Sequence, residues 1–341
     1  MNKGVSVVIP CYNSSKLLPE TIAHLARQNV PEHINWEIII VDNASTDDTA
    51  ETAAAIWDAC KSRVPFKVVE QPIKGLSAAR DKGFQEARFE YILFCDDDNW
   101  LDPNYVRVSY EIMTGNPLIG VLGGAGEKVT EGTFPPLYDN LYGFGPQNDK
   151  DGEVSDKRGW VFGAGFVVRK SAWNLINNYG FKSFLTDRKG KKLSGGGDVE
   201  LCFAIRLAGY KVWYDHRLKF KHFFPSNRLH WNYYTSLQEN THRAVPILQA
   251  YKFVLNNNGE MYKTPDSRYW LYRSYKLMIR IRKLLKSVVK SYFYDVEGDK
   301  NIIKYYRFKG ELIGWLQVRS KYSTICDQVN AFKNNLLNSS Q

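Results

Sequence analysis

The apolar positions of the first hundred residues fall into short, nearly unbroken runs. Val5-Ser-Val-Val-Ile9 stops at Pro10, Trp36-Glu-Ile-Ile-Ile-Val41 stops at Asp42, Phe66-Lys-Val-Val69 follows, and Tyr91-Ile-Leu-Phe94 runs toward Asp96, Asp97 and Asp98. Runs without polar alternation predict strands buried on both faces, and so a parallel sheet covered by helices. Helical patterns separate them. Asn13-Ser14-Ser15 precedes the stretch Leu17 to Arg27, and Ser45-x-x-Asp48 reads as a capping box before an Ala-rich stretch ending near Cys60. A βαβαβ succession of this kind predicts right-handed crossovers and a ligand site at the C-terminal edge of the strands.

The later pattern is less regular. Residues 115–158 are rich in Gly, Pro and Asn and predict long surface loops, with Gly123-Gly-Ala-Gly126 as a turn. Trp160 to Val168 predicts a strand, Asp198 to Leu207 a helix, and Tyr210 to Tyr214 another strand. From about residue 225 the chain reads as helical and aromatic-rich. The expected division is therefore a catalytic α/β domain over 1–225, with halves at about 1–110 and 111–225, and a helical C-terminal extension over 226–341.

Charge sharpens that division. Of 46 Lys+Arg and 36 Asp+Glu in the chain, residues 261–341 hold 16 and 6, so the first 260 residues carry 30 of each sign. The whole formal net charge of +10 thus sits at the C-terminal end. No run approaches the roughly 18–20 apolar residues of a membrane span. Val5 to Ile9 is too short for a signal-peptide core, which makes a cytoplasmic location the expectation. Cys11, Cys60, Cys95, Cys202 and Cys326 are scattered without a C-x-x-C pair, and reduced thiols are expected.

The candidate chemistry lies where the strands end. Asp42 and the triplet Asp96-Asp97-Asp98 each follow an apolar run, and a buried strand delivers its last residues to a fixed point at the sheet edge. Three adjacent carboxylates repel one another, so a cation or a hydroxyl-rich ligand is their natural partner. Mg²⁺ or Mn²⁺ held there could bridge diphosphate oxygens and stabilise a departing nucleoside diphosphate. The alternative is a solvated acidic turn that caps the next helix. A dinucleotide-binding dehydrogenase is excluded, because Pro10-Cys-Tyr-Asn-Ser-Ser15 stands where G-x-G-x-x-G is required.

Val8-Ile-Pro-Cys-Tyr-Asn13, Ile40-Val-Asp-Asn-Ala-Ser-Thr-Asp47, Lys74-Gly-Leu-Ser-Ala-Ala-Arg80 and Phe94-Cys-Asp-Asp-Asp98, in this order, resemble the family 2 glycosyltransferases of GT-A fold. The resemblance covers about residues 5–215. It implies a mostly parallel sheet flanked by helices, and inverting transfer of a sugar from a nucleotide-diphosphate donor to an acceptor hydroxyl. It implies that Pro10, Tyr12, Asn13, Asp42, Lys74, Arg80, Asp96 and Asp97 bind the nucleotide sugar. Asp96 and Asp98 would be the ends of the family's D-x-D motif, at ribose and metal. His222 follows an apolar run and could reach the same edge as a metal ligand, although packing or hydrogen bonding is the commoner use of such a residue.

Asp198, in Gly195-Gly-Gly-Asp-Val-Glu200, matches the family's general base, while Gly197 stands where a Glu is usual. Its local alternative is an N-cap of the helix it opens. The glycines ahead of it suit a loop that closes over acceptor. Lys182, Arg188, Lys189, Lys191 and Lys192 form either a phosphate-binding flap or a solvated loop. Gln238-Glu-Asn-Thr-His-Arg243 departs from the Q-x-x-R-W of processive members, which implies single additions in surface polysaccharide or glycolipid assembly. A sugar-nucleotide nucleotidyltransferase and a non-catalytic assembly protein on the same fold are the alternatives.

One segment points to a partner. Leu271, Tyr275, Met278, Ile281, Leu285, Val288 and Tyr292 recur at helical spacing, beside Arg273, Lys276, Arg280, Lys283, Lys286 and Lys290. A basic face next to an apolar one, with Trp270 at its end, suits a helix lying on an anionic membrane over residues 268–292. That would make the protein peripheral on the membrane and bring it to a glycan or lipid-linked acceptor. The alternative is that the stripe packs on the rest of the protein. No nucleic-acid partner is expected, since only the basic tail favours one.

Overall fold

The computed structural model describes residues 2–138, 144–154, 158–188, 195–256, 268–294 and 297–338. They divide into two compact units: 1–129, 142–178 and 201–224 form the first, and 130–141, 179–200 and 225–341 the second.

The first unit is built on one mixed sheet. Strands β1 (Asn2–Cys11), β2 (Trp36–Asp42), β3 (Phe66–Glu70) and β4 (Phe89–Phe94) are parallel in the order β3-β2-β1-β4. Helices α1 (Leu18–Ala26), α2 (Thr49–Ala59) and α3 (Leu76–Glu86) make the crossovers. Every residue from Gly4 to Cys11 is buried, as the unbroken apolar run predicts. Beyond β4 the sheet continues through β8 (Val167–Arg169), β6 (Ile119–Thr130), β9 (Lys211–Phe224) and β5 (Asn99–Leu101), where β8 is antiparallel to both β4 and β6, and β5 and the short β7 (Gly152–Glu153) are antiparallel to β9. Helices α4 (Tyr105–Gly115), α5 (Lys170–Asn178) and the body of α6 (Gly197–Leu207) complete the unit.

Several local expectations change. Gly123-Gly-Ala-Gly126 is a turn by composition but lies within the twelve-residue strand β6. The glycines there serve close packing: a Cβ on Gly124 would come 2.1 Å from the Leu218 carbonyl oxygen, and one on Gly123 would meet Val161 at 2.6 Å. The strand expected over Trp160–Val168 is only Val167–Arg169, and the one expected at Tyr210–Tyr214 extends to Phe224. Ser45 does not cap α2. Its hydroxyl accepts from the Asn13 amide at 3.0 Å, and Asp48 takes the N-cap position without a side-chain bond.

The second unit is helical. It contains α7 (Trp231–His242), α8 (Val245–Asn256), α9 (Tyr269–Lys290), α10 (Lys300–Val318) and α11 (Tyr322–Asn338). Its core centres on the fully buried Trp315, ringed by Tyr269 and Tyr322. Buried Glu311 accepts from Arg273 at 2.7 Å, which pulls that arginine off the basic face expected of it. The segment 179–200 folds with these helices: Phe181 packs on Phe332, and Asn335 donates to the Tyr179 carbonyl at 3.3 Å.

Candidate active site

Parallel pairing brings the strand ends into register. Cys11 of β1 lies opposite Asp42 of β2, and the Cys95 amide just after β4 donates to the Val8 carbonyl at 3.0 Å. The loops after β1, β2 and β4 therefore meet at one edge, which carries Tyr12, Asn13, Asp42 and Asp96 to Asp98. Pro10 is buried within β1 beneath them. Cys11 and Cys95 are buried there too. Burial, reinforced by neighbouring aspartates, pushes both thiols well above their ordinary range, so they stay neutral.

The loops brace one another through their polar side chains. Asn13 adopts φ 55°, a left-handed conformation that asparagine tolerates, and its Oδ1 accepts from the Thr46 amide at 2.8 Å. Asp42 Oδ1 accepts from the Ser45 amide at 3.1 Å. The Ser14 hydroxyl donates to the Asp97 carboxylate, and the Thr21 hydroxyl to the Asp97 carbonyl at 2.7 Å. Asp97 thus ties the end of β4 to the start of α1, a bracing role that the triplet's sequence does not reveal.

Asn43, absent from the sequence expectations, organises the next loop. Its Nδ2 donates to the Gln71 and Ile73 carbonyls at 3.0 and 2.6 Å, and its Oδ1 accepts from the Gly75 amide at 2.7 Å. The loop so held carries Lys74, whose Nζ lies 4.9 Å from the Tyr12 ring centroid and 3.3 Å from its hydroxyl. Both side chains are exposed, and they form a cationic, aromatic lip. Arg80 is different: it is buried on α3, with its guanidinium 5.3 Å from the Phe166 ring and 5.8 Å from Phe94.

Asp98 is buried, whereas Asp96 and Asp97 are half-buried. Antiparallel pairing of β5 with β9 sets Asn99 opposite His222, and the Phe223 amide donates to the Asp98 carbonyl at 2.8 Å. This places His222 Nε2 3.3 Å from Asp98 Oδ1. Cis ligands at ~2.1 Å from an octahedral ion lie ~3 Å apart. The carboxylates are the donor type suited to Mn²⁺ or Mg²⁺, and two ligand atoms at this spacing are compatible with one such ion. Away from this edge, Asp151, Asp215 and His216 are the group among the described residues whose three ligand atoms lie within 4.8 Å of one another. There, however, Asp215 receives Arg217 through two 2.8 Å bonds and His216 pairs with Asp151, so protein partners already occupy these atoms.

Asp198 lies in the second unit, half-buried in the first turn of α6, with its Oδ1 accepting from the Val199 amide at 2.9 Å. The helix starts one residue earlier, so Asp198 is not the N-cap. Of the basic residues expected near it, Lys182 and Arg188 are exposed, while Lys189, Lys191 and Lys192 lie outside the described residues.

A sequence profile described as Glycosyl transferase family 2 matches residues 6–173. The chain is 31% identical over 123 residues to the poly-beta-1,6-N-acetyl-D-glucosamine synthase of Staphylococcus epidermidis, covering 36% of this chain and 28% of that protein. Matched stretches make up between 28% and 35% of the first curated relatives. Among solved structures, S. aureus TarS 1-349 in complex with UDP-GlcNAc superposes with a TM-score of 0.52 at 15% identity, covering 90% of each chain. The mannosyltransferase PcManGT from Pyrobaculum calidifontis, in complex with GDP-Man and Mn²⁺, gives 0.56 at 15%, covering 94% of this chain and 87% of that one. At such identity the likeness is one of fold, and that fold is of the GT-A type.

Proposed function

We propose, for a chain whose residues 6–173 match the Glycosyl transferase family 2 profile, that the protein moves one sugar from a nucleotide-diphosphate donor to an acceptor hydroxyl with inversion. The observation that carries the reading is the convergence of Asp42, Asp96 and Asp98 at one edge of the sheet, with His222 Nε2 3.3 Å from Asp98. Pro10, Tyr12, Asn13 and Asp42 form the nucleoside pocket. Lys74 and Arg80 add positive charge on the diphosphate side. Asp97 contributes through its bond to Ser14, which fixes the floor of that pocket. Asp96, Asp98 and His222 would hold Mg²⁺ or Mn²⁺, which when bound neutralises charge on the leaving diphosphate.

Asp198 takes the proton of the acceptor hydroxyl as its oxygen bonds to the anomeric carbon. The bond from that carbon to the diphosphate breaks on the opposite face, and the nucleoside diphosphate leaves with the electron pair. Asp198→Asn should lower the transfer rate by about 10² or more while leaving donor affinity intact. Full turnover in that variant would refute the assignment.

One relative is by name a poly-beta-1,6-N-acetyl-D-glucosamine synthase and another a poly(ribitol-phosphate) beta-N-acetylglucosaminyltransferase, which supports a glycan or lipid-linked acceptor in surface polysaccharide or glycolipid assembly. Helix α9 buries only Ser274 and Leu277. Most of the apolar stripe faces outward, Tyr275 and Met278 being 59% and 52% exposed, while Ile281 and Val288 are half-buried. Lys276, Arg280, Lys283, Lys286 and Lys290 are exposed beside it. This arrangement supports peripheral attachment to an anionic membrane at the cytoplasmic face, each basic residue contributing about 1 kcal/mol near the surface. Among the described residues no helix is long and apolar enough to cross a membrane.

A further inference from the structure

We infer that Asp187 is the positioning residue for Asp198, replacing from ten residues upstream a side chain that Gly197 does not supply. The inference rests on the reading of Asp198 as the base. Its starting point is the first turn of α6, where helix amides lack intrahelical partners. Gly196, at φ 106°, has no side chain to cap them. The Gly197 amide instead donates to Asp187 Oδ1 at 2.8 Å, and Asp187 is buried. A Cβ at position 197 would come 2.6 Å from Asp187 Oδ2 and 2.8 Å from its Cγ, closer than real Cβ contacts. The Asp187 carboxylate in this position therefore depends on the absence of a side chain at 197.

The loop that delivers Asp187 is anchored to the same turn. Buried Glu200 accepts from the Ser183 hydroxyl at 2.5 Å, the Phe184 amide at 2.9 Å, the Leu185 amide at 3.0 Å and the Tyr251 hydroxyl at 3.0 Å. Gly196 packs in turn against Ala244 and Leu185, where a Cβ would meet them at 2.9 and 3.2 Å. Gly196 and Gly197 thus mark tight packing rather than slack chain, whereas Gly195 stands in open space. Three carboxylates share this turn. Glu200 holds the loop and Asp187 the helix end, while Asp198 is the half-buried one of the three, on the first turn of the helix. Asp187 fixes the backbone from which Asp198 projects, and small displacements of a catalytic group are costly.

The test is a double-mutant cycle on the full chain. It is read as nucleoside diphosphate released at saturating donor, using whichever of the UDP, GDP and dTDP sugars binds, with donor affinity measured separately. Asp187→Ala should lower kcat about 10-fold or more with donor affinity unchanged. Asp187→Asn, whose Oδ1 can still accept from Gly197, should recover most of that loss. In the Asp198→Asn background, Asp187→Ala should cost nothing further, because it acts through Asp198. If Asp187→Ala does not fold, Gly197→Ala displaces the carboxylate instead and should give the same loss. An equal penalty in both backgrounds, or an unchanged kcat in Asp187→Ala, overturns the inference and leaves the base assignment standing. Unchanged kcat in Asp198→Asn removes the base assignment itself.

Discussion

Asn43→Ala should loosen the donor edge by a magnitude that the hydrogen bonds set. The side chain is only 4% exposed and makes three bonds, to the Gln71 and Ile73 carbonyls and from the Gly75 amide, at 3.0, 2.6 and 2.7 Å. Each is worth about 1 kcal/mol net, and the partners left behind are deprived of a bond inside the protein, so the loss should be about 3 kcal/mol. At about 2–4 °C per kcal/mol for a unit of 150–250 residues, the melting temperature should fall by about 6–12 °C. Asn43→Asp should do no better, since it keeps the acceptor for Gly75 but turns a carboxylate oxygen toward two carbonyls. Scanning calorimetry reads the stability, and a donor titration should show weakened affinity because the freed loop carries Lys74. A fall below about 2 °C for the alanine variant would refute this account of how the loop is held.

Other perturbations test separate parts of the structure. Lys67 and Lys82 hold the Glu86 carboxyl down to about 2 through hydrogen bonds at 2.7 and 2.8 Å. A depressed carboxyl stabilises above its unfolded value and loses that contribution as pH falls through the folded one. Glu86→Gln should therefore cost up to about 1 kcal/mol at neutral pH in denaturant titrations, with the gap to the parent closing between about pH 4.5 and 2. Gly124→Ala should destabilise by about 3 kcal/mol or more by thermal unfolding, because its Cβ meets a backbone carbonyl. Gly115→Ala at the open end of α4 should be neutral or stabilising by up to ~1 kcal/mol. His222→Ala should raise the Mn²⁺ concentration needed for donor binding about 10-fold or more without abolishing the fold. Reversing Lys276, Arg280 and Lys283 to Glu should release the protein from anionic liposomes in a sedimentation assay while leaving its melting temperature unchanged; failure of the parent protein to sediment at low salt would remove the membrane reading.

The parallel half of the sheet was legible because Val5–Ile9, Ile38–Val41 and Tyr91–Phe94 are buried on both faces, and continuous burial writes an uninterrupted apolar run. Strand β6 was hidden because packing against Val161 and Leu218 demands glycine, the residue that composition assigns to turns. The site divides the same way. Asp42 and Asp96 to Asp98 stand immediately after readable strands, so their common edge follows from topology. His222 depended on β9 running on to Phe224 and pairing with β5, which no local pattern announces. Asn43 and Asp187 act through bonds to loops reached only in the folded chain, and each looks like an ordinary polar residue in the sequence. The stripe on α9 was legible as a helix face. Which face turned outward was settled by packing on α10 through Arg273 and Glu311.

The most direct test of the donor site is thermal unfolding of the full chain in the presence of UDP, GDP and dTDP sugars, with and without Mn²⁺, in parallel with Asp98→Asn. At about 100 times its dissociation constant the true donor should add roughly 2.7 kcal/mol of stability. That gain should require the ion and should vanish in Asp98→Asn, whose unliganded melting temperature stays close to the parent's. Absence of stabilisation by every nucleotide sugar, or undiminished Mn²⁺-dependent stabilisation in Asp98→Asn, would contradict the assignment of this edge.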